Sequence, residues 1–419
     1  MKLLVFVIRQ ICRFLLGATF IFSGFVKGVD PMGGAYKLQD YFAAFGLDWL
    51  NTLAVPLAIA LAAAELLIGV LLVLDELRPI AVWGVLAFMA IFTPLTLYLA
   101  IANPVSDCGC FGDAVKLSNW ATFGKNIVLL GAAIVLVLGR WWRHIHWFAR
   151  HRWVQYAVWG LLVVLAVSPG LYALRHLPLI DFRPYRVGAN IWQNMQAPAD
   201  APKDEFATTF VYEKDGVQKN FTEADYPWDD STWHYVSSNT ILVKKGYEPP
   251  IREFTLTDSE GVDQAPAFLQ RAGDKMLVVA SMLENLQEKD LQDIKNLDGW
   301  VRTTGIELAF ATASLPESQG LLRARGIAMP IYTGDERVLK TVIRSNPGVL
   351  LMHDGVVTGK WRMRDLPEAS YFKGDLLARQ ITELTSGAAL FWARSILVGL
   401  VVLGLFLTYA RRRGEEGKA

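Results

Sequence analysis

Six stretches of this chain hold almost no charge, and each runs for 20 residues or more: 1–26, 52–74, 79–102, 120–139, 153–173 and 388–410. A helix needs about 20 apolar residues to cross roughly 30 Å of hydrocarbon. No other secondary structure pairs all of its backbone groups within one segment there. The fold class this predicts is a multi-pass α-helical membrane bundle. Charged residues make up 19% of the chain, against about 25% in an ordinary soluble domain. The shortfall lies in these runs, whereas 180–385 reads as water-exposed.

The charges between the runs set an expected orientation. The loop RWWRHIHWFARHRW (140–153) carries Arg140, Arg143, Arg150 and Arg152 and no acid, and the last run ends in Arg411, Arg412 and Arg413. Short loops rich in Lys and Arg stay in the cytoplasm. Both termini and the 75–79 turn are therefore expected inside. Loops 27–51 and 103–119 and the soluble part 175–387 are then outside, with Arg175, Arg183 and Arg186 outvoted. Trp141, Trp142, Trp147 and Trp153 suit the interfacial belt. The first run carries Arg9 and Arg13 and meets no small-residue cleavage site before Lys27, so it reads as a membrane helix and not a leader. The expected location is a bacterial inner membrane with the soluble region periplasmic. The lipid bilayer is the one certain partner this implies.

Lys plus Arg (41) and Asp plus Glu (40) nearly cancel, and no basic stripe interleaved with aromatics lies outside the membrane flanks. Nucleic acid is excluded as a partner. Cys12, Cys108 and Cys110 are the whole cysteine complement, which excludes a disulfide framework and leaves one candidate redox pair. Charged residues inside spans are functional candidates. Glu65, mid-run in LAAAELLIGVLL, is expected to face the bundle interior, either pairing a cation or protonated between two helices. A proton or quinone role is the alternative.

Cys108-Gly109-Cys110 falls in an oxidising compartment by this topology. Side chains at i and i+2 of an extended chain point apart, and Gly109 admits the backbone angles that bring them together. Asp107 and Asp113 flank the pair and raise its thiol pKa values, with Lys116 in partial compensation. Three readings stay open: a redox-active pair, a structural bond or two packed thiols, and a metal site using Asp107 and Asp113. The last is disfavoured because two thiolates with no nearby His underfill a tetrahedral site, so no metal is assigned. Cys12 reads as a small apolar filler.

The segments RFLLGATFIFSGFVKGVDP (13–31) and AAAELLIGVLLVLDELRPIAV (62–82), a short cysteine-bearing loop and a fourth span resemble the DoxX/MauE family of four-helix membrane proteins over about residues 5–140. The loop NPVSDCGCFGDAVKLS (103–118) is most similar to the MauE branch. That resemblance implies thiol–disulfide chemistry on the outer side, or maturation of a secreted redox protein. DoxX relatives imply coupling to quinone. No cofactor motif is otherwise evident.

Residues 175–250 read as a small β-rich subdomain. FATTFVYEKDGVQKNF (206–221) is a hairpin around Asp215-Gly216, and two strands follow at 230–237 and 240–245. His234, between Trp233 and Tyr235, reads as packing. Residues 251–387 alternate strands and helices. FTLTDSEG as a strand-turn, KMLVVAS (275–281), GIELAFATA (305–313), GVLLMHDG (348–355) and VVTGKWR (356–362) carry the strands, and a closing helix lies near 370–385. That order, with the Pro-then-strand element SNPGVLLMHDG, resembles a thioredoxin-like fold of the TlpA and peroxiredoxin type. The resemblance implies that Pro347 is cis and lines a substrate groove. Where that family carries Cys-x-x-Cys this chain has Ser281-Met282-Leu283-Glu284-Asn285, so the region cannot exchange dithiols itself.

The expected organisation is a four-helix bundle (1–140), a basic loop with the fifth span (141–174), a β-rich subdomain (175–250), a degenerate thioredoxin-like domain (251–387) and a sixth span with a basic tail (388–419). The expected function is an inner-membrane accessory factor for extracytoplasmic thiol–disulfide chemistry or redox-protein maturation. The C-terminal domain would bind a secreted or periplasmic client protein. The alternatives are a non-catalytic envelope scaffold and a subunit of a quinone-linked oxidoreductase.

Overall fold

A computed structural model describes residues 2–105, 108–139, 152–244, 246–372 and 376. Helix α1 (Lys2–Val29) ends at Asp30, whose carboxylate accepts the Gly33 amide and caps α2 (Pro31–Ala44). Pro31 fits the first helical position, where a missing N–H loses no hydrogen bond. This helix corrects the expectation of a plain loop over 27–51. Next come α3 (Ala54–Leu74), α4 (Arg78–Ala102), α5 (Asn119–Leu138) and α6 (Arg152–Arg175). Among the described residues five helical segments are long and apolar enough to cross a membrane: Leu3–Val29, Asp48–Leu74, Arg78–Ala102, Asn119–Leu138 and Tyr156–Arg175. The run 388–410, the basic tail and the loop over 140–151 lie outside the described residues.

Helices α1, α3, α4 and α5 share one core, with Leu16 and Phe20 meeting Leu72, Val85, Leu129 and Leu136. Helix α6 packs outside it, Val158 and Leu162 lying against Val70 of α3. Contact between α1 and α3 is backbone to backbone. A Cβ on Gly24 would stand 2.4 Å from the Leu66 nitrogen, and one on Gly69 2.6 Å from the Ile21 nitrogen. Small residues permit this approach in lipid, where apolar side chains alone give helices no preference for each other. At one end of the bundle Asp75, in the left-handed region (φ 62°), closes α3. Its carboxylate receives Arg78 at 2.8 Å and Arg13 at 3.1 Å, so the intramembrane Arg13 is paired.

The water-exposed part begins with α7 (Ile191–Met195) and an antiparallel sheet of β1 (Glu205–Lys214), β2 (Val217–Thr222) and β3 (His234–Lys244) in the order β2-β1-β3. Asp215 and Gly216 both have positive φ (53° and 77°), as a two-residue hairpin matched to strand twist requires. The two strands expected at 230–237 and 240–245 are one continuous strand. His234 on it is exposed, which corrects its assignment to packing.

A second sheet follows, built from β4 (Asp274–Val279), β5 (Glu307–Thr312), β6 (Ile331–Thr333), β7 (Gly348–His353) and β8 (Val356–Arg362). Helices α8 (Ala265–Gln270), α9 (Glu288–Val301), α10 (Pro316–Ala324) and α11 (Glu336–Val342) cover it. The strand order is β6-β5-β4-β7-β8, with β4, β5 and β6 parallel and β7 and β8 each antiparallel to its predecessor in the sheet. Because strand residues alternate faces, Leu277 and Val279 bury against α8 and α11, and Met276 and Val278 against α9 and α10. FTLTDSEG forms no strand. Thr257 makes only isolated bridges, and the Asp263 carboxylate takes the Leu256 amide that a ladder would have used. The closing helix near 370–385 falls almost wholly outside the described residues, which reach a 3-10 turn at Ala369–Phe372.

Candidate functional site

The α4–α5 loop returns the chain across the bundle end opposite Asp75. Asn119, at the start of α5, donates to the Asn103 side chain (2.9 Å) and the Val105 carbonyl (3.0 Å), which fixes both ends of the loop. Gly109 sits at φ 65° and Gly112 at φ 51°, and the Gly112 amide bonds back to the Gly109 carbonyl at 3.0 Å. The left-handed turn at Gly109 brings the sulfurs of Cys108 and Cys110 to 3.1 Å from each other, both as free thiols. The geometric obstacle to an i, i+2 pair is thus removed by one glycine.

Polar groups converge beneath the pair. Lys27, near the end of α1, reaches both Glu65 oxygens at 2.7 and 2.9 Å. The Ser23 hydroxyl lies 2.6 Å from Glu65 Oε2 and 2.7 Å from the Cys110 carbonyl. A hydroxyl carries one proton, so Ser23 donates to one of these acceptors at a time and links the carboxylate to the cysteine backbone. From α2, the Tyr41 hydroxyl donates to the Cys108 carbonyl at 2.6 Å. Lys125 of α5 stands 4.5 Å above the Phe111 ring, next to Cys110. Glu65 therefore pairs a cation in the bundle interior.

The two thiols differ. The hydrogen bond from Cys108 holds the Cys110 thiol down to about 6, with the Lys125 and Lys27 ammoniums adding to it against the effect of burial. Cys108 is pushed up by that same hydrogen bond and by burial. Of the two, Cys110 is the more acidic thiol. Beside the expected acidic flanks and Lys116 stand two further cations, Lys27 and Lys125, that lower Cys110. Asp113 is neutralised at 2.9 Å by Arg344, Lys116 is exposed, and Asp107 lies outside the described residues. Lys125, Ser23 and Tyr41 are the residues that sequence reasoning missed. A lysine at the sixth position of the apolar run 120–139 was a signal for the first, and nothing local marked the other two.

Beside Cys110 a narrow cleft of about 40 Å³ runs into the bundle, lined by Phe20, Phe88, Phe92, Lys125 and Asn126 among others. Phe88 packs edge-on to Phe20 (5.7 Å) and stacks with Phe92 (5.8 Å). Asn126 donates to Thr96 Oγ1 at 3.1 Å, within the turn that Pro94 interrupts. Among the described residues no cluster of His, Cys, Asp and Glu could hold a metal ion.

Pro347 lies elsewhere, at the start of β7, and its peptide bond with Asn346 is cis. Asn346 donates to the Met282 carbonyl at 3.0 Å, so this loop faces the turn Ser281–Asn285. In that turn Ser314 accepts the Leu283 amide (2.8 Å) and donates to Glu284 (2.7 Å). The structure thus joins Cys108, Cys110 and Glu65 in one site, and Pro347 stands in another.

The bundle and its loop define a multi-pass helical membrane protein with a cysteine pair over a buried ion pair. Residues 3–139 match the family model described as methylamine utilisation protein MauE, which makes this part a MauE-family membrane domain. Residues 206–245, the β1–β3 sheet, match a domain of unknown function, DUF8463. No curated protein matches the chain.

Proposed function

We propose that the chain is a membrane accessory factor for thiol–disulfide chemistry on the outer face, with Cys108 and Cys110 as the reacting pair. The observation that carries this is the 3.1 Å sulfur contact, in which Cys110 is the more acidic thiol, its pKa lowered with the help of Lys27 and Lys125. Depressed thiol pKa in an electropositive setting is what distinguishes reactive from structural cysteines. In the oxidised state, a client thiolate attacks one sulfur of the Cys108–Cys110 bond. The second client thiol then displaces that sulfur from the mixed disulfide. The client gains a disulfide, the proton of its second thiol passes to Cys108, and the pair becomes Cys108 thiol and Cys110 thiolate. The cleft beside Cys110 carries an aromatic lining with Lys125 and Asn126 at its margin, the chemistry a flat apolar ring with a polar edge needs, and it must widen to admit one. A membrane quinone there would supply the two-electron, two-proton acceptor that the oxidation requires.

We infer further that the second sheet is thioredoxin-like. The order β6-β5-β4-β7-β8, helices on both faces and the cis-Pro347 ahead of β7 support this. Having no cysteine beyond residue 110, it would serve as a binding domain for a secreted or periplasmic client, and the Arg-rich segments 140–153 and 411–413 support a location outside an inner membrane. The description of the MauE family suggests methylamine utilisation as one setting for such a client.

The test is oxidation of a reduced dithiol peptide by membranes bearing the chain. Wild type is expected to oxidise it, and Cys108→Ser and Cys110→Ser to lose the activity by at least about 100-fold, the scale of losing an essential nucleophile. Equal rates in all three would favour the non-catalytic scaffold, for which the cysteine-free C-terminal region is the supporting observation.

A further inference from the structure

Helix α2 lies between the cysteine loop and the second sheet, and its two neighbouring faces touch one each. Tyr36 and Asp40, a turn apart, meet α11 and the segment after it. Lys340 stands 5.0 Å and the Arg344 guanidinium 5.3 Å from the Tyr36 ring, and Arg337 is 3.6 Å from Asp40. Lys37 and Tyr41, one residue further round, run along the cysteine loop. A Cβ on Gly109 would stand 3.1 Å from Lys37 Cγ, and Tyr41 holds the Cys108 carbonyl.

One side chain passes from the sheet region to the cysteine loop. Arg344 gives Nε to Asp30 at 3.0 Å, Nη2 to Asp113 at 2.9 Å and Nη1 to the Lys340 carbonyl at 2.7 Å. Its side chain is only 4% exposed. A planar guanidinium can serve two carboxylates and a carbonyl at once, which an ammonium cannot do with fixed geometry. Asp113 lies three residues past Cys110, and Arg344 three residues before the cis Pro347. A guanidinium buried this deeply is held by its carboxylates, and removing either partner leaves a charge stranded.

We propose that Arg344 is a latch that docks the Pro347 loop onto the cysteine loop, so that the C-terminal region covers the chain's own Cys108–Cys110 pair and sets its reactivity. Arg344 is a positioning residue and touches neither sulfur. It acts in two ways. It cancels the charge of Asp113, which would otherwise disfavour the Cys110 thiolate, and it closes the loop against α2. A client reaches the pair when the latch opens, so docking and reaction are coupled. The latch rests on the reading of the pair as a redox centre, but its test does not.

The experiment uses the full chain in lipid nanodiscs on a Cys12→Ala background. The alkylation rate of the reduced pair by a water-soluble maleimide is followed against pH. In Arg344→Gln the limiting rate is expected to rise about tenfold, and the pH midpoint to move up because Asp113 is left charged. Asp113→Asn opens the same contact from the other side without that charge, so its rate rises as much and its midpoint does not move up. Arg344→Lys falls between. Arg337→Gln, whose side chain is 87% exposed, behaves as the parent. Should Arg344→Gln fail to fold, Asp113→Asn decides the point. Limiting rates in Arg344→Gln and Asp113→Asn within about twofold of the parent, or equal midpoints in these two, overturn the latch. A glutathione titration on the same samples keeps the two readings separate. A pair that never forms a disulfide in any variant removes the redox reading, and the alkylation rates still report the latch.

Discussion

At the scale of single residues, the site rests on matching charges that the chain keeps far apart. Glu65 and Lys27 sit within membrane helices, where an unpaired charge is expensive. Each makes the other tolerable at 2.7 Å, and loss of one partner of such a pair costs about 3–5 kcal/mol by leaving the other stranded. The pair does more than hold α1 to α3, because the Lys27 charge also reaches the cysteines. Together with Lys125 and the Cys108 hydrogen bond it lowers Cys110 to about 6. The sign follows directly. A thiol whose pKa is depressed is thiolate above the lowered value and loses that form as pH falls through it. Alkylation of Cys110 is therefore expected to keep nearly its full rate at neutral pH, to fall to half near pH 6 and to decline further below that. Lys125→Gln is expected to move the midpoint upward and slow the reaction at neutral pH. A stopped-flow pH profile checks both. A midpoint where an ordinary thiol titrates, near 8.5, would show that Cys110 has no help from its neighbours.

At the scale of elements, the helices were the most legible part of the chain. Apolar runs of 20 residues leave no alternative to a helix in lipid, and α1, α3, α4, α5 and α6 follow them within a few residues. The strands β4 and β7 were equally legible, since KMLVVAS and GVLLMHDG are short apolar runs between turn residues. Helix α2 was missed although Asp30-Pro31 is a capping signal, because Gly33 and Gly34 weaken its first turn. FTLTDSEG misled in the other direction. Its β-rich composition is real, but side-chain hydrogen bonds from Asp263 replace the ladder. In the site, Cys108 and Cys110 were legible as a pair and Glu65 as an oddity. Their partnership with Lys27 and Ser23 was not, since contacts 38 to 87 residues apart leave no local pattern. Element packing makes its own prediction. Gly24 meets the α3 backbone so closely that Gly24→Val must push α1 away from α3. The expected cost is about 1–3 kcal/mol, the range for overpacking, read as a lower unfolding midpoint in detergent. An unchanged midpoint would mean that α1 and α3 do not meet there.

At the scale of the whole molecule, the chain joins a MauE-family bundle that holds the cysteines to a sheet domain that has none. Neither half is sufficient alone for the proposed chemistry. In the proposed scheme the bundle would supply the reacting pair, and the sheet region, attached through Arg344 and α2, would govern access. Covalent connection keeps the second half at high local concentration over the first, so the docked state needs only a modest interface. The measurement that bears most directly on this account is the redox state of Cys108 and Cys110 in native membranes. It is read by acid-quenched thiol labelling and mass shift, followed by titration against reduced and oxidised glutathione. The account predicts a bond between these two cysteines that opens and closes reversibly, with a potential toward the oxidising end expected of a labile disulfide. Thiols that stay reduced in the oxidised buffer, or a bond that resists reduction under native conditions, would contradict it.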